Sequence, residues 1–267
     1  MRTIKFSWVH FAFVFGGIVL LAAVLRSTKS EAAGPGSAPA AAKKSVVVEL
    51  FTSEGCSSCP PADELLGRLR QERNANGAEV IPLGFHVDYW DSQSWRDRFS
   101  SGAYSRRQED YARKLRTQGP YTPQMVVNGE VEFVGSSTGR AREAIAQAGA
   151  QTPAAEVEIS SAGRDVMLKV KSVQPADVFL TVTEDNLATR VGGGENDGRT
   201  LRHSAVVRDF RRVGQVKDGG FSGAVPVTLQ PEWKRSDLRV VVLVQDAGSG
   251  KILGAASIPL QSLSRSN

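Results

Sequence analysis

Cysteine is scarce in this chain. Of 267 residues only Cys56 and Cys59 are cysteines. The pair can supply one disulfide, one dithiol or half of a metal site, so a metal site of four cysteines is excluded within one chain. Runs of one charge sign are missing too. The net charge is +5 and the pI near 9.4. Yet Arg96, Arg98, Arg106, Arg107, Arg113 and Arg116 are dispersed, which reads as a solvated basic surface and not as a nucleic-acid footprint. No internal repeat is visible. The glycine-rich stretch from Val191 to Gly198 has no following helix and no lysine at fixed spacing. That excludes a phosphate cradle and leaves a flexible hairpin loop.

What remains is ordinary for a globular protein, with 41% hydrophobic and 23% charged residues. The length accommodates a targeting segment and two domains. Arg2 and Lys5 precede an apolar stretch from Trp8 to Leu25, near the length that separates a signal peptide from a membrane-spanning helix. Ser30-Glu31-Ala32 offers a small-x-small cleavage site, whereas Arg26 and Lys29 suit an uncleaved anchor. Residues 1–32 are therefore expected to be a signal peptide or N-terminal membrane anchor. Either way the body is expected to fold outside the cytoplasm, periplasmic or extracellular, or anchored at the inner membrane. Residues 33–44, rich in Ala, Gly, Pro and Ser, read as a flexible tether.

The two cysteines have an informative setting. Val46 to Phe51 is apolar and β-branched, as suits a strand covered on both faces. Gly55 permits a tight turn. Pro60 fits the first turn of a helix, and Ala62, Leu65, Leu66 and Leu69 then recur at helical spacing. The CxxC pair thus sits where a strand feeds a helix N-terminus, whose partial positive charge favours a thiolate. A second cysteine three residues on can resolve a mixed disulfide. A static disulfide or half a metal site is the alternative.

Further along, Glu79 to Val87 reads as a strand and Gly102 to Thr117 as a helix. Gln124 to Asn128 and Glu130 to Val134 form a hairpin about Asn128-Gly129. Ala141, Ala144, Ile145 and Ala148 mark a last helix. The order β-α-β-α-β-β-α argues for helices packed on a mixed sheet over residues 45–150.

This order, with CxxC after the first strand and Thr122-Pro123 before the terminal hairpin, resembles the thioredoxin fold. The resemblance implies a cis Pro123, with Thr122 presenting its backbone beside the cysteines. It also implies that Cys56, the N-terminal and exposed cysteine, is the nucleophile and Cys59 the resolving thiol. No aromatic residue directly precedes Cys56, and Pro60-Pro61 follow the pair, unlike ordinary thioredoxins. The stretches Glu49 to Asp63, His86 to Asp91 and Tyr121 to Gly129 are similar to a bacterial secreted family catalogued as domain of unknown function 1223 and described as thioredoxin-like. That resemblance runs from about Val46 to the C-terminus and implies a fold and export, with no established substrate.

From about Pro153 the pattern changes to seven strand-like runs separated by turns, Arg202 to Val207 among them, several of alternating polarity. Residues 151–267 are expected to form a small all-β sandwich. Beyond the cysteines, Glu49 is an acid inside an apolar strand. It is either a buried proton shuttle, comparable to the buried acid of thioredoxins, or a glutamate paired with a base. His86 and Asp88 share a face at the end of the second strand. With Cys56 and Cys59, His86 makes a weak alternative copper or zinc site. In the family that the chain resembles, the stretch Gly194 to Leu201 recurs before a strand, and the resemblance implies a polar feature of Glu195, Asn196 and His203. The sequence thus predicts an exported thiol–disulfide oxidoreductase acting on protein thiols or disulfides through Cys56, Cys59, Glu49, Thr122 and Pro123, with no cofactor. The other readings are a metal-binding module and a redox-inert assembly protein.

Overall fold

Strand β1 (Ser45–Thr52) is buried along almost its whole length, as its apolar run requires. It comes from a computed structural model that describes residues 44–72, 77–162 and 165–262. The expected leader or anchor at 1–32, and all of the expected tether but Lys44, lie outside the described residues. Among the described residues no helix is long and apolar enough to cross a membrane.

Alternation along β1 divides the first core in two. Val46, Val48 and Leu50 face one side, with Leu65 and Leu66 of helix α1 (Pro60–Leu69) and Ile145 of helix α3 (Thr138–Ala150). Val47 and Phe51 face the other, with Tyr104 and Tyr111 of helix α2 (Gly102–Lys114). Strand β2 (Glu79–His86) lies parallel to β1, and β3 (Gln124–Val127) antiparallel on its other side. Strand β4 (Val131–Val134) closes the edge as the second arm of the expected hairpin. Asn128 and Gly129 turn it with φ of +47° and +68°, the left-handed conformation that an Asn-Gly turn supplies. A Cβ on Gly129 would lie 2.0 Å from the Gly250 carbonyl oxygen, so only glycine fits there.

The sheet does not stop at residue 150. Strand β10 (Val206–Val216) runs beside the free edge of β2, pairing Val206 with Gly84 in parallel. Beyond β10 come β7 (Ala176–Glu184), β12 (Leu238–Gln245) and β13 (Ile252–Pro259). The eight strands are ordered β13-β12-β7-β10-β2-β1-β3-β4. A second sheet, of β5 (Ala155–Ala162), β6 (Asp165–Ser172) and β11 (Gly220–Pro226), covers one face of the added strands. Between them Val166, Leu168 and Val170 meet Val178, Leu180, Val182, Val240 and Val242. The architecture is mixed α/β, with one large mixed sheet and few helices.

Two local differences from the sequence expectation matter for the site. Residues 202–207, expected as one strand, are split. Strand β9 (Thr200–His203) ends, Ala205 takes a φ of +52°, and β10 begins at Val206. The Ala205 N–H donates to Asp185, and its carbonyl accepts from the Gly84 N–H. Strand β8 (Leu187–Arg190), not expected, pairs with β9 as a separate hairpin beside α1.

Candidate functional site

Cys59 is the residue just before α1, and Pro60 and Pro61 open the helix. The Cys59 carbonyl accepts the N–H groups of Ala62 and Asp63, while the Cys56 carbonyl accepts the N–H of Cys59. A disulfide joins Cys56 and Cys59. Ser57 and Ser58 between them are exposed. The cysteines are not: both have 0% accessible surface. The exposed Cys56 that the thioredoxin resemblance implied is therefore not found. The loop folds its serines outward and its sulfurs inward. The Ser58 hydroxyl oxygen lies 3.4 Å from Cys56 Sγ.

Thr122–Pro123 is a cis peptide bond, and it lies at the same end of the sheet as the cysteines. Around the place where Gly135 lacks a Cβ, Pro123 and Ala62 each approach to 3.2 Å. Pro123 therefore borders the first turn of α1. Trp90 ties the two together. Its backbone oxygen and Cβ crowd Gly55, and its indole Nε1–H donates to Thr122 Oγ1 at 2.7 Å.

Glu49 is elsewhere. It shares parity with Val47 and Phe51, so it points to the α2 side of the sheet, away from α1. Arg107 Nε and Nη2 donate to its two carboxylate oxygens at 2.6 and 2.9 Å. The Tyr111 hydroxyl donates to Oε1 at 2.6 Å. Of the two expectations for Glu49, the paired glutamate describes this geometry; a shuttle to the cysteines would have to cross the sheet.

The buried acids near the cysteines are ones the sequence reading passed over. Asp63, one helical turn beyond Cys59, is 8% exposed. It accepts a hydrogen bond from Thr52 Oγ1 at the end of β1. Burial pushes its pKa up, against the opposing pull of His203 and His86. Asp97 Oδ2 lies 2.6 Å from His86 Nδ1 and also accepts the Glu54 N–H. Burial works to raise the Asp97 pKa, but the His86 imidazole and two backbone N–H groups hold it at about 2. Burial works to lower the His86 pKa, and Asp97 beside it raises it overall. His203 Nε2 is 3.1 Å from Glu54 Oε1, and the two imidazole rings are 5.0 Å apart. Three carboxyl groups and two imidazoles thus lie under the cysteine loop. Among the described residues no group of three or more His, Cys, Asp or Glu is arranged to hold a metal ion. His86 faces Asp97, and the Cys56–Cys59–His86 alternative is not assembled.

The glycine-rich loop reaches the cysteines from the second half of the chain. The Ser57 N–H donates to Glu195 Oε2 at 2.9 Å. Asn196 is fully buried, and its Nδ2 donates to the carbonyls of Glu54 and Cys56, each at 2.9 Å. Arg199 donates to Asn196 Oδ1 at 2.7 Å. The sequence pointed to Glu195, Asn196 and His203 as a polar feature; the structure sets all three against the cysteine loop and its buried acids. Asp63 had a signal that went unused, since an acid four residues after Cys59 on an amphipathic helix must share its face.

No curated relative matches the chain. A protein from Agrobacterium tumefaciens of known crystal structure is 30% identical, with a TM-score of 0.67. That match covers 82% of this chain and 96% of the other. HBP35 of Porphyromonas gingivalis is 18% identical with a TM-score of 0.57, covering 81% and 75% of the two chains, a likeness of fold alone. Residues 47–245 match one family, and the chain belongs to it: Protein of unknown function (DUF1223).

Proposed function

We propose that the chain is an exported, thioredoxin-like thiol–disulfide exchange protein that acts on protein thiols or disulfides through Cys56 and Cys59. One observation carries the reading. A CxxC disulfide sits at the start of a helix leaving a central buried strand, with a buried acid one turn further on. Pro123 beside the first turn of that helix supports a partner site at the same end. The basic and then apolar segment before residue 26 supports export, and membrane attachment if it stays on the chain.

In the exchange the Cys56 thiolate attacks one sulfur of a partner disulfide. A bond forms between Cys56 and that sulfur, and the second partner sulfur leaves as a thiolate. Cys59 gives its proton to Asp63 and attacks the Cys56 sulfur. The Cys56–Cys59 bond forms, the first partner sulfur leaves as a thiolate, and Asp63 returns the proton toward it. The partner gains two electrons and the protein loses two; the reverse sequence oxidises a partner. The Ser58 hydroxyl donates to the Cys56 thiolate, and the helix N-terminus favours its charge. Asp63, one helical turn beyond Cys59, takes this role in place of Glu49, which faces α2 across the sheet. The sulfurs are covered, so the serine loop moves when a partner docks.

The test is trapping. Cys59→Ser accumulates a mixed disulfide with a peptide disulfide, and Cys56→Ser does not. Wild-type exchange no faster than that of Cys56→Ser rejects the reading. A second reading, a structural staple, has the complete burial of both cysteines in its favour. Reduction of the folded protein by dithiothreitol separates the two. A staple is reduced at the rate of unfolding, which rises steeply with urea, whereas an exchange centre is reduced without unfolding.

A further inference from the structure

The segment from Gly192 to Arg199 links β8 to β9, yet it is fitted to two other loops. On one side Gly193 lies so close to Ser94 that a Cβ would fall 2.2 Å from the Ser94 carbonyl oxygen. Gly192 and Gly194 pack on Trp95, and Gly194 and Gly198 hold φ of +71° and +76°. On the other side lie the cysteines. A fully buried Asn196 spends both amide hydrogens on the carbonyls of Glu54 and Cys56. Arg199 fixes the same amide from behind. Glu195 is exposed, and its carboxylate takes the N–H of Ser57, the residue next to Cys56.

These contacts have a chemical direction. The start of α1 favours negative charge on Cys56. A carboxylate held on the adjacent N–H opposes it and occupies a donor that a thiolate or an incoming partner would use. We propose that Glu195 and Asn196 are positioning residues of the cysteine centre. Asn196 holds the Cys56 carbonyl so that the sulfurs stay covered. Glu195 keeps the reduced Cys56 sulfur protonated until a partner displaces its carboxylate from Ser57. Docking then uncovers the sulfur and frees its charge in one movement. The inference rests on the exchange reading for its purpose, but its chemistry is measurable without any partner.

The other charged groups around the loop are Glu54 before it, Asp63 on α1, His86 on β2, Asp97 ahead of α2, and His203 and Arg199 from the second half. They set the baseline of any pH profile, and the Glu195 variants leave them in place. In a Cys59→Ser background, alkylation of Cys56 by iodoacetamide is followed against pH. Glu195→Gln moves the midpoint to lower pH, so that alkylation below the midpoint is about three- to tenfold faster, while Glu195→Asp stays near the parent. In the otherwise native chain, Asn196→Ala speeds reduction of the disulfide by dithiothreitol by about tenfold. Should Asn196→Ala fail to fold, Glu195→Ala, a change at an exposed residue, carries that arm. An unmoved midpoint in Glu195→Gln overturns the charge role, and reduction no faster than the parent overturns the cover. A chain that shows both shifts and never traps a peptide keeps these roles and loses the exchange function. One that traps a peptide and shows neither shift loses these roles alone.

Discussion

Replacing Arg107 by methionine tests the assignment of Glu49 to the framework. Glu49 has no accessible surface, and the Arg107 side chain retains 9%. The guanidinium makes both carboxylate hydrogen bonds and also donates to Gln245 Oε1 at 3.1 Å. It lies 4.5 to 5.8 Å from the ring centres of Phe85, Tyr111, Phe179 and Phe210. Methionine keeps the stem among those rings and removes the charge. Glu49 is then left with the Tyr111 hydroxyl alone. Stranding one partner of a buried pair costs about 3–5 kcal/mol. For a chain of this size that corresponds to a fall in melting temperature of about 10 °C.

The double variant Glu49→Leu/Arg107→Met completes the cycle. With both charges gone no buried charge is left unpaired; the Tyr111 hydroxyl loses its acceptor and Gln245 Oε1 a donor, so part of the lost stability returns. Equilibrium urea unfolding of the four proteins measures each term. A loss below about 1 kcal/mol in Arg107→Met, or no recovery in the double variant, would refute the framework assignment. Cysteine chemistry supplies an independent check. Glu49 faces α2, so the pH profile of Cys56 alkylation in Arg107→Met follows the parent; a displaced profile would return Glu49 to the cysteine site.

Asp63→Asn probes a second buried acid. Burial raises the Asp63 pKa, so the fold prefers its protonated form. Its contribution is complete below the ordinary value of 3.8 and is lost as the pH rises through the raised folded value. Asparagine stays neutral, so the variant is the more stable protein at neutral pH by urea unfolding, with the gap closing toward pH 4. In the trapping assay the variant keeps the mixed disulfide on Cys56 and releases it about a hundredfold more slowly, the scale of a lost proton acceptor; release at the parent rate counts against Asp63 in that role. Two glycines make a matched pair for the fold. Gly129→Ala forces a left-handed residue against the Gly250 carbonyl and costs at least about 2 kcal/mol, whereas Gly139, with open space around it in α3, gains about 0.5 kcal/mol as alanine. Thermal melts that rank the two alike would count against the packing of the β3–β4 turn on the β12–β13 loop.

The strand–turn–helix around the cysteines was legible because its signals are local. An apolar run, a glycine and a proline each constrain their own few residues. The β3–β4 hairpin was legible for the same reason, through Asn128-Gly129. What was not legible depends on pairing at a distance. Periodicity marks Val206 as a strand residue but not as the neighbour of Gly84. It therefore left the second half as a sandwich of its own, when four of its strands widen the first sheet. Residues 202–207 read as one strand because nothing in their types announces that Ala205 turns left-handed to bond Asp185 and Gly84. Glu49 was half legible. Its parity with Val47 and Phe51 fixes its face, but its partner lies 58 residues away.

The site shows the same division of labour. The first half supplies the sulfurs, the helix start and Asp63. The second supplies Asn196, Glu195 and His203, which hold the cysteine loop and the Glu54 carboxylate beneath it. Buried polar groups need partners, and Glu54 Oε1 finds the His203 imidazole 149 residues along the chain. The CxxC unit is therefore not a detachable module carried beside an unrelated β domain. Part of its electrostatics comes from Glu195 and His203, which β8 and β9 bring against α1, and those strands are held there by the same run of chain that extends the sheet at β10. Under the proposed exchange, the state of one disulfide is tied to the packing of the two halves, and the loop between β8 and β9 is where control of the sulfur is tested.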